Sequence, residues 1–330
     1  MELKSKHLIN YRRGYHNRLV SGCKREDGDL GDDNKKSSFP IRAFKFGLRI
    51  PGRLYNRYIT YPLLDKALAN SDIDVYVHDK ERDLLRIVTL GERLNWSLKT
   101  GKACDAVPWL DRISPLINAE DTIFDVGGNI GVIAHWFSTK AKLVHAFEPH
   151  PDNIAIIESQ SRLRNASNLH LHKYAVGQSE SEMDLCVKGF HGHHSLGDVN
   201  NSPTIGHIKV QVRTLDNIAN DFVIPRINFL KIDVEGFEAD VLIGAKQLLS
   251  ERRIDYVLFE MKESILSSIK RTPDEVFAPL LEAGYQIITL EGILLEGGQL
   301  SHPPDADYLA CLDVEATAEK LATSKYALEY

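Results

Sequence analysis

From about residue 119 onward, short apolar runs alternate with stretches of helical pattern. This alternation constrains the fold more than any other feature of the 330-residue chain. The runs are Thr122–Val126, Leu143–Phe147, Leu169–Val176, Phe229–Asp233 and Tyr256–Met261, with helical stretches near 131–138, 151–163 and 238–250. Strands covered by helices on both faces read as continuous apolar runs. Their alternation with helices predicts a doubly wound, mostly parallel α/β sheet. The end of the chain breaks the pattern. After a helix near 273–283, the runs Tyr285–Leu290 and Asp307–Leu312 are separated by Gly292, Gly297, Gly298, Pro303 and Pro304, with no helix signal. Such a connection predicts an antiparallel pair at the C-terminal edge of the sheet.

The corner after the first run reads Asp125-Val126-Gly127-Gly128-Asn129-Ile130-Gly131. Glycines there let the backbone turn tightly and approach a ligand, and the following helix start offers unpaired N–H groups. The spacing is not GxGxxG, so the pyrophosphate fingerprint of NAD is broken. A leading carboxylate would repel a pyrophosphate but suits a ligand with a positive amine, such as S-adenosylmethionine (SAM). Gly127, Asn129 and Gly131 are the candidate loop contacts, with Asp125 near the amine end. Glu148 ends the next strand, 23 positions after Asp125. A carboxylate at that place can accept both ribose hydroxyls. An ordinary strand–turn–helix corner with a solvated strand end is the plain alternative.

The fourth run ends in Asp233, turns through Glu235-Gly236 and enters a helix. Ligands of open α/β sheets bind beyond the carboxyl ends of the strands, which makes Asp233 and Glu235 candidates for orienting an acceptor. Glu238 and Asp240, in the first helical turn, are read as complements to the helix dipole. Glu260 ends the fifth strand and is expected beside Asp233. No metal is assigned. Crowded carboxylates need donors, a raised pKa or a cation, and a divalent ion on Asp233, Glu235 and Glu260 is a variant of the same reading.

Together DVGGNIG, Phe147-Glu148-Pro149, Thr214-Leu215-Asp216, KIDVEGFEADVLIGA and Leu258-Phe259-Glu260-Met261 resemble the FkbM family of SAM-dependent methyltransferases. The resemblance covers about residues 115–290 and departs at Gly128, where alanine is common. It implies a class I methyltransferase-like sheet, mostly parallel with a C-terminal antiparallel hairpin. It also implies SAM as cofactor and O-methylation of a hydroxyl on a saccharide, lipid-linked glycan or polyketide-type acceptor. An NAD-dependent dehydrogenase or epimerase, and a non-catalytic SAM-binding module, are the rival readings.

His191-Gly192-His193-His194-Ser195 lies in a polar segment, roughly 188–206. Long loops in compact domains often serve substrates, and histidine is a natural base near neutral pH. His193 or His194 is therefore the candidate general base, against the plain reading of a flexible polar loop. His170 and His172 alternate along a strand and are read as structural or exposed.

Charge divides the rest of the chain. The net charge of −6 combines 14 Lys/Arg and 6 Asp/Glu in residues 1–60 with 26 and 40 beyond them. Residues 1–54 are expected to be a partly disordered basic extension, with a low-apolar linker at 21–38, able to touch an anionic surface. Residues 55–118 read as a small cap containing two short strands, 119–315 as the methyltransferase domain and 316–330 as a tail. Nucleic acid is not an expected partner, and the oligomeric state is left open. No apolar run approaches ~18 residues, no secretory signal is evident, and the four scattered cysteines form no CxxC pair. A cytoplasmic location is the expectation.

Overall fold

The computed structural model describes residues 7–11, 74–79, 84–89, 109–188, 192–199 and 203–324. The linker expected at 21–38 lies outside them. The chain divides into two compact units, Met1–Val107 and Pro108–Tyr330. In the first, β1 (His7–Tyr11) runs parallel to β2 (Asp74–Asp79), which pairs antiparallel with β3 (Leu84–Thr89).

The second unit opens with α1 (Trp109–Ile113) and one 3-10 turn. There follow β4 (Thr122–Val126), α2 (Val132–Ser138), β5 (Leu143–Phe147), α3 (Pro151–Arg164) and β6 (Leu169–His172). Next come β7 (Ala175–Val176), β8 (Ser181–Lys188), β9 (Thr204–Arg213) and α4 (Leu215–Asp221). The chain continues through β10 (Ile227–Ile232), α5 (Glu238–Ile243), α6 (Lys246–Ser250), β11 (Ile254–Met261), α7 (Glu263–Ser268) and α8 (Pro273–Glu282). It closes with β12 (Gln286–Thr289), α9 (Gly298–Ser301), β13 (Ala306–Cys311) and α10 (Val314–Ala322).

Seven strands form one sheet in the order β12-β13-β11-β10-β4-β5-β6. The run from β11 to β6 is parallel, and β13 is antiparallel to both its neighbours. The order reverses between β4 and β10, so loops diverging there leave a crevice at the carboxyl ends. Apolar side chains of β4, β5, β10 and β11, among them Phe124, Phe147, Leu230, Ile232 and Phe259, are buried to 1% exposure or less. Truncating a fully buried phenylalanine to alanine costs about 3–5 kcal/mol, so this layer holds the crevice floor rigid.

Two local expectations are corrected. The third apolar run is two strands, not one. Leu169–His172 stays in the main sheet, whereas Ala175–Val176 pairs with β9 in a separate three-stranded sheet of order β7-β9-β8. An apolar run carries no mark of which sheet it joins. The helix expected over 238–250 breaks at Gly244, where a Cβ would lie 2.1 Å from the carbonyl oxygen of Gly177. The Thr214-Leu215-Asp216 segment explains the break. Thr214 caps α4 by accepting from the Asn217 N–H at 3.2 Å, while Asp216 accepts from the Gln247 and Leu248 N–H groups and caps α6. A motif shared with a catalytic family thus has an architectural role here.

Among the described residues, no helix is long and apolar enough to cross a membrane.

Candidate active site

Three strand ends build the cleft: those of β4, β5 and β10. Its wall includes Val126, Gly127, Asn129, Phe147, Glu148, Asn153, Val176, His194, Asp233 and Glu235. At the end of β4, Gly127 has φ +79°, and a Cβ on it would stand 1.9 Å from the carbonyl oxygen of Asp233. The loop can pass the end of β10 only without a side chain there. Gly128, by contrast, has its nearest neighbour at 3.6 Å from an added Cβ, an ordinary contact. The family's usual alanine would fit. Gly131 caps α2 with φ +83° and supports the loop from behind, off the cleft wall.

Glu148 clamps the loop to β5. One carboxylate oxygen accepts from the Asn129 N–H and the other from the His150 N–H, each at 2.8 Å. Burial pushes its pKa up to about 7 despite these donors. The Asn153 side chain bonds the same carboxylate, so of its roughly four lone-pair sites one remains for a ligand hydroxyl.

Lys231 is a functional position that sequence reasoning passed over. It lies inside the KIDVEGFE motif and is 3% exposed. Its ammonium donates to the Gly127 carbonyl at 3.2 Å and pairs with Asp125 at 3.2 Å and Asp233 at 3.3 Å. Burial lowers its pKa, but the two carboxylates outweigh this and hold it above the usual lysine range. Asp125 is fully buried beneath the loop, and burial raises its pKa while Lys231 opposes the rise. It is not on the cleft wall. A carboxylate before a glycine loop looks like a ligand in the sequence. The lysine that claims it arrives from a strand 106 positions later.

An acidic group gathers where β10, β11 and β13 meet. Asp233, Glu235 and Glu260 each offer a carboxylate oxygen within 4.8 Å of the others. Asp307 stands opposite Glu260 across the β11–β13 ladder. Burial, then repulsion from Asp233, pushes Glu260 up to about 7, with Lys262 at 2.7 Å opposing the rise. Burial and the Glu260 and Asp233 charges likewise push Asp307 to about 7. Lys231 and Lys262 therefore compensate this group within the protein itself. Asp307 was not anticipated. The available signal was the expected hairpin, since a strand antiparallel to β11 must begin where β11 ends. Glu238 does not serve the helix dipole alone. It accepts from the Val234 and Gly236 N–H groups at 3.2 Å and shapes the turn that carries Glu235, whose φ is +54°. Asp240 pairs with Arg271.

The polar segment after β8 crosses the cleft. The His194 ring stacks on His150 with centroids 4.1 Å apart, and the Ser195 hydroxyl donates to the Glu235 carbonyl at 2.9 Å. Histidine as general base is corrected at His194. Its Nδ1 accepts from the Lys188 backbone N–H at 3.1 Å. The neutral ring then carries its proton on Nε2 and has no free lone pair for the acceptor. Burial, with His150 adding to it, lowers its pKa to about 4. His193 is not on the cleft wall, and His191 lies outside the described residues.

This strand order, with its single antiparallel strand and a cleft at the reversal, defines a class I methyltransferase fold. Residues 125–287, just under half of the chain, match the family model described as the methyltransferase FkbM domain. The chain is 28% identical over 148 residues to the hexuronic acid methyltransferase AglP of Haloferax volcanii, covering 44% of this chain and 58% of AglP. It thus spans less than two thirds of that relative. It is 23% identical over 165 residues to the 2-O-methyltransferase NoeI of Sinorhizobium fredii, covering 46% of this chain and 68% of NoeI. Among solved structures, the methyltransferase FkbM from Methylobacillus flagellatus KT aligns over 80% of this chain and 64% of its own, with 17% identity and a TM-score of 0.38.

Proposed function

We propose that this chain transfers a methyl group from SAM to a hydroxyl of a saccharide or similar polyol acceptor. The observation that carries the reading is the charge of the cleft wall. Its described charged side chains are Glu148, Asp233 and Glu235, with no lysine or arginine among them. A pyrophosphate would meet only carboxylates there. A cationic sulfonium ligand is electrostatically favoured, and this weighs against NAD.

The residues present fit SAM. Glu148 keeps one acceptor site for a ribose hydroxyl, Phe147 and Val176 give an apolar wall for a base, and the loop at Gly127 exposes backbone. SAM when bound supplies an electrophilic methyl on a neutral leaving group, so no acid is needed. The chain must orient the acceptor hydroxyl and take its proton. We assign the orienting role to Asp233, which is on the cleft wall, 40% exposed at its side chain and paired with Lys231. We assign the proton to Glu260, which is off the described cleft wall but offers an oxygen within 4.8 Å of those of Asp233 and Glu235 and has its pKa raised to about 7. Glu235 shapes the cleft end and stabilises positive charge. The names of AglP and NoeI, a hexuronic acid methyltransferase and a 2-O-methyltransferase, support a sugar hydroxyl as acceptor.

Calorimetry with SAM, S-adenosylhomocysteine and NAD tests the cofactor. Micromolar binding of the first two is expected, and tighter binding of NAD would overturn the reading. Labelled SAM offered with neutral saccharides, uronic acids and polyketide alcohols tests the acceptor. Activity that survives EDTA is expected, because two lysines already compensate the acidic group.

A further inference from the structure

We propose that Lys188 is a positioning residue that straps the 192–199 segment across the cofactor cleft. The inference rests on the methyltransferase reading for its consequence but on independent geometry for its mechanism. Lys188 ends β8, and its side chain is 0% exposed. Opposite it the β8–β9 register shifts, Val187 pairing with Gly206 but Lys188 with Thr204, so Ile205 is an extra residue. Such bulges re-aim a side chain. Here the shift accompanies a lysine turned inward at a strand end that would ordinarily leave it in water.

All three ammonium donors are used. They reach Asp198 Oδ1 at 2.6 Å, the Val199 carbonyl at 3.0 Å and Thr204 Oγ1 at 2.8 Å. Thr204 Oγ1 also donates to the same Asp198 oxygen. The backbone N–H of Lys188 holds His194 Nδ1. One residue therefore grips both ends of the segment, through its main chain at His194 and its side chain at Asp198 and Val199. Between these grips, Ser195 bridges to Cys186 and bonds the Glu235 carbonyl, while His194 packs on His150. The segment thus spans from the end of β5 to the end of β10 and supplies Gly192, His194, Ser195 and Leu196 to the cleft wall. None of the ammonium's partners is on that wall, so the lysine acts through the segment and not on the ligand.

Removing one partner of an ion pair is strongly destabilising when it leaves the other charge buried, but the Asp198 side chain is 72% exposed and its carboxylate stays solvated. Lys188→Met should therefore release the segment without unfolding the unit. The expected result is S-adenosylhomocysteine affinity weakened about tenfold, a melting temperature close to wild type, and faster proteolysis within 192–199. KM for SAM should rise while kcat at saturation changes little. Thr204→Val, which removes one partner and keeps the ion pair, should show a smaller loss in the same direction. Should Lys188→Met fail to fold, Thr204→Val carries the test alone. Wild-type affinity and wild-type proteolysis in whichever variants fold would overturn the proposal. If wild-type protein itself binds no S-adenosylhomocysteine, the cofactor reading fails, and the proteolysis arm still decides the strap.

Discussion

Adjacent glycines in the β4–α2 corner have opposite tolerances. Gly127→Ala must push a methyl into the Asp233 carbonyl at 1.9 Å while holding φ +79°. Strain of this kind costs about 1–3 kcal/mol before the clash is counted. Loss of S-adenosylhomocysteine binding and a lower melting temperature are expected. Gly128→Ala should leave both unchanged, and a loss as large as that at Gly127 would mean that Gly128 too has no room for a Cβ. At Glu148 the two backbone N–H contacts predict a graded series. Glu148→Gln retains one acceptor and should weaken affinity about tenfold. Glu148→Ala leaves the Asn129 and His150 N–H groups without their side-chain acceptor. It should also destabilise the fold, by about 1–3 kcal/mol for each donor left unsatisfied. Equal thermal stability of the two variants would argue against the clamp. The places of Gly127 and Glu148 on the cleft wall were legible in sequence because the strand ends that position them are local. Lys231 was not, since its partners come from β4 and the loop after it, and the pairing exists only when β10 lies beside β4.

The meeting of β10, β11 and β13 sets the pH behaviour. In the proposed reaction Glu260 must be ionised to take a proton, and its pKa is raised to about 7. The methylation rate at saturating substrate should therefore rise with pH through about 7 and level off above it. Lys262 opposes the rise of the Glu260 pKa, so Lys262→Met should raise that pKa further and move the limb to higher pH. Glu260→Gln should flatten the limb and lower kcat by about 10²–10⁴-fold, the usual share of a general base. An unchanged pH profile in both variants would remove Glu260 from the mechanism. Histidine was the natural expectation for this role from residue type alone. At His194 a backbone N–H occupies Nδ1, a contact that no reading of a polar loop can supply. The separate β7-β9-β8 sheet escaped for a related reason: alternation reports burial, not which strand pairs with which.

At the scale of the molecule, the division at Val107/Pro108 predicts an autonomous second unit. Residues 108–330 expressed alone should fold and bind S-adenosylhomocysteine as the full chain does. Insolubility or lost affinity would mean that the first unit completes the site. The basic charge of residues 1–60 lies outside this unit, so vesicles with anionic lipid should retain the full chain more than the truncated one. Sequence by itself determined the parallel sheet, its antiparallel closing strand, the glycine corner and the acidic strand ends. Each is a matter of local patterning, in which burial on both faces, turn chemistry or a strand terminus is written in consecutive residues. Tertiary structure alone decided that Asp125 serves Lys231, that Asp307 joins Glu260, and that Lys188 is buried to hold a segment across the cleft. Those outcomes depend on charges brought together from distant strands, and a buried charge takes its role from whichever opposite charge or donor the fold places beside it.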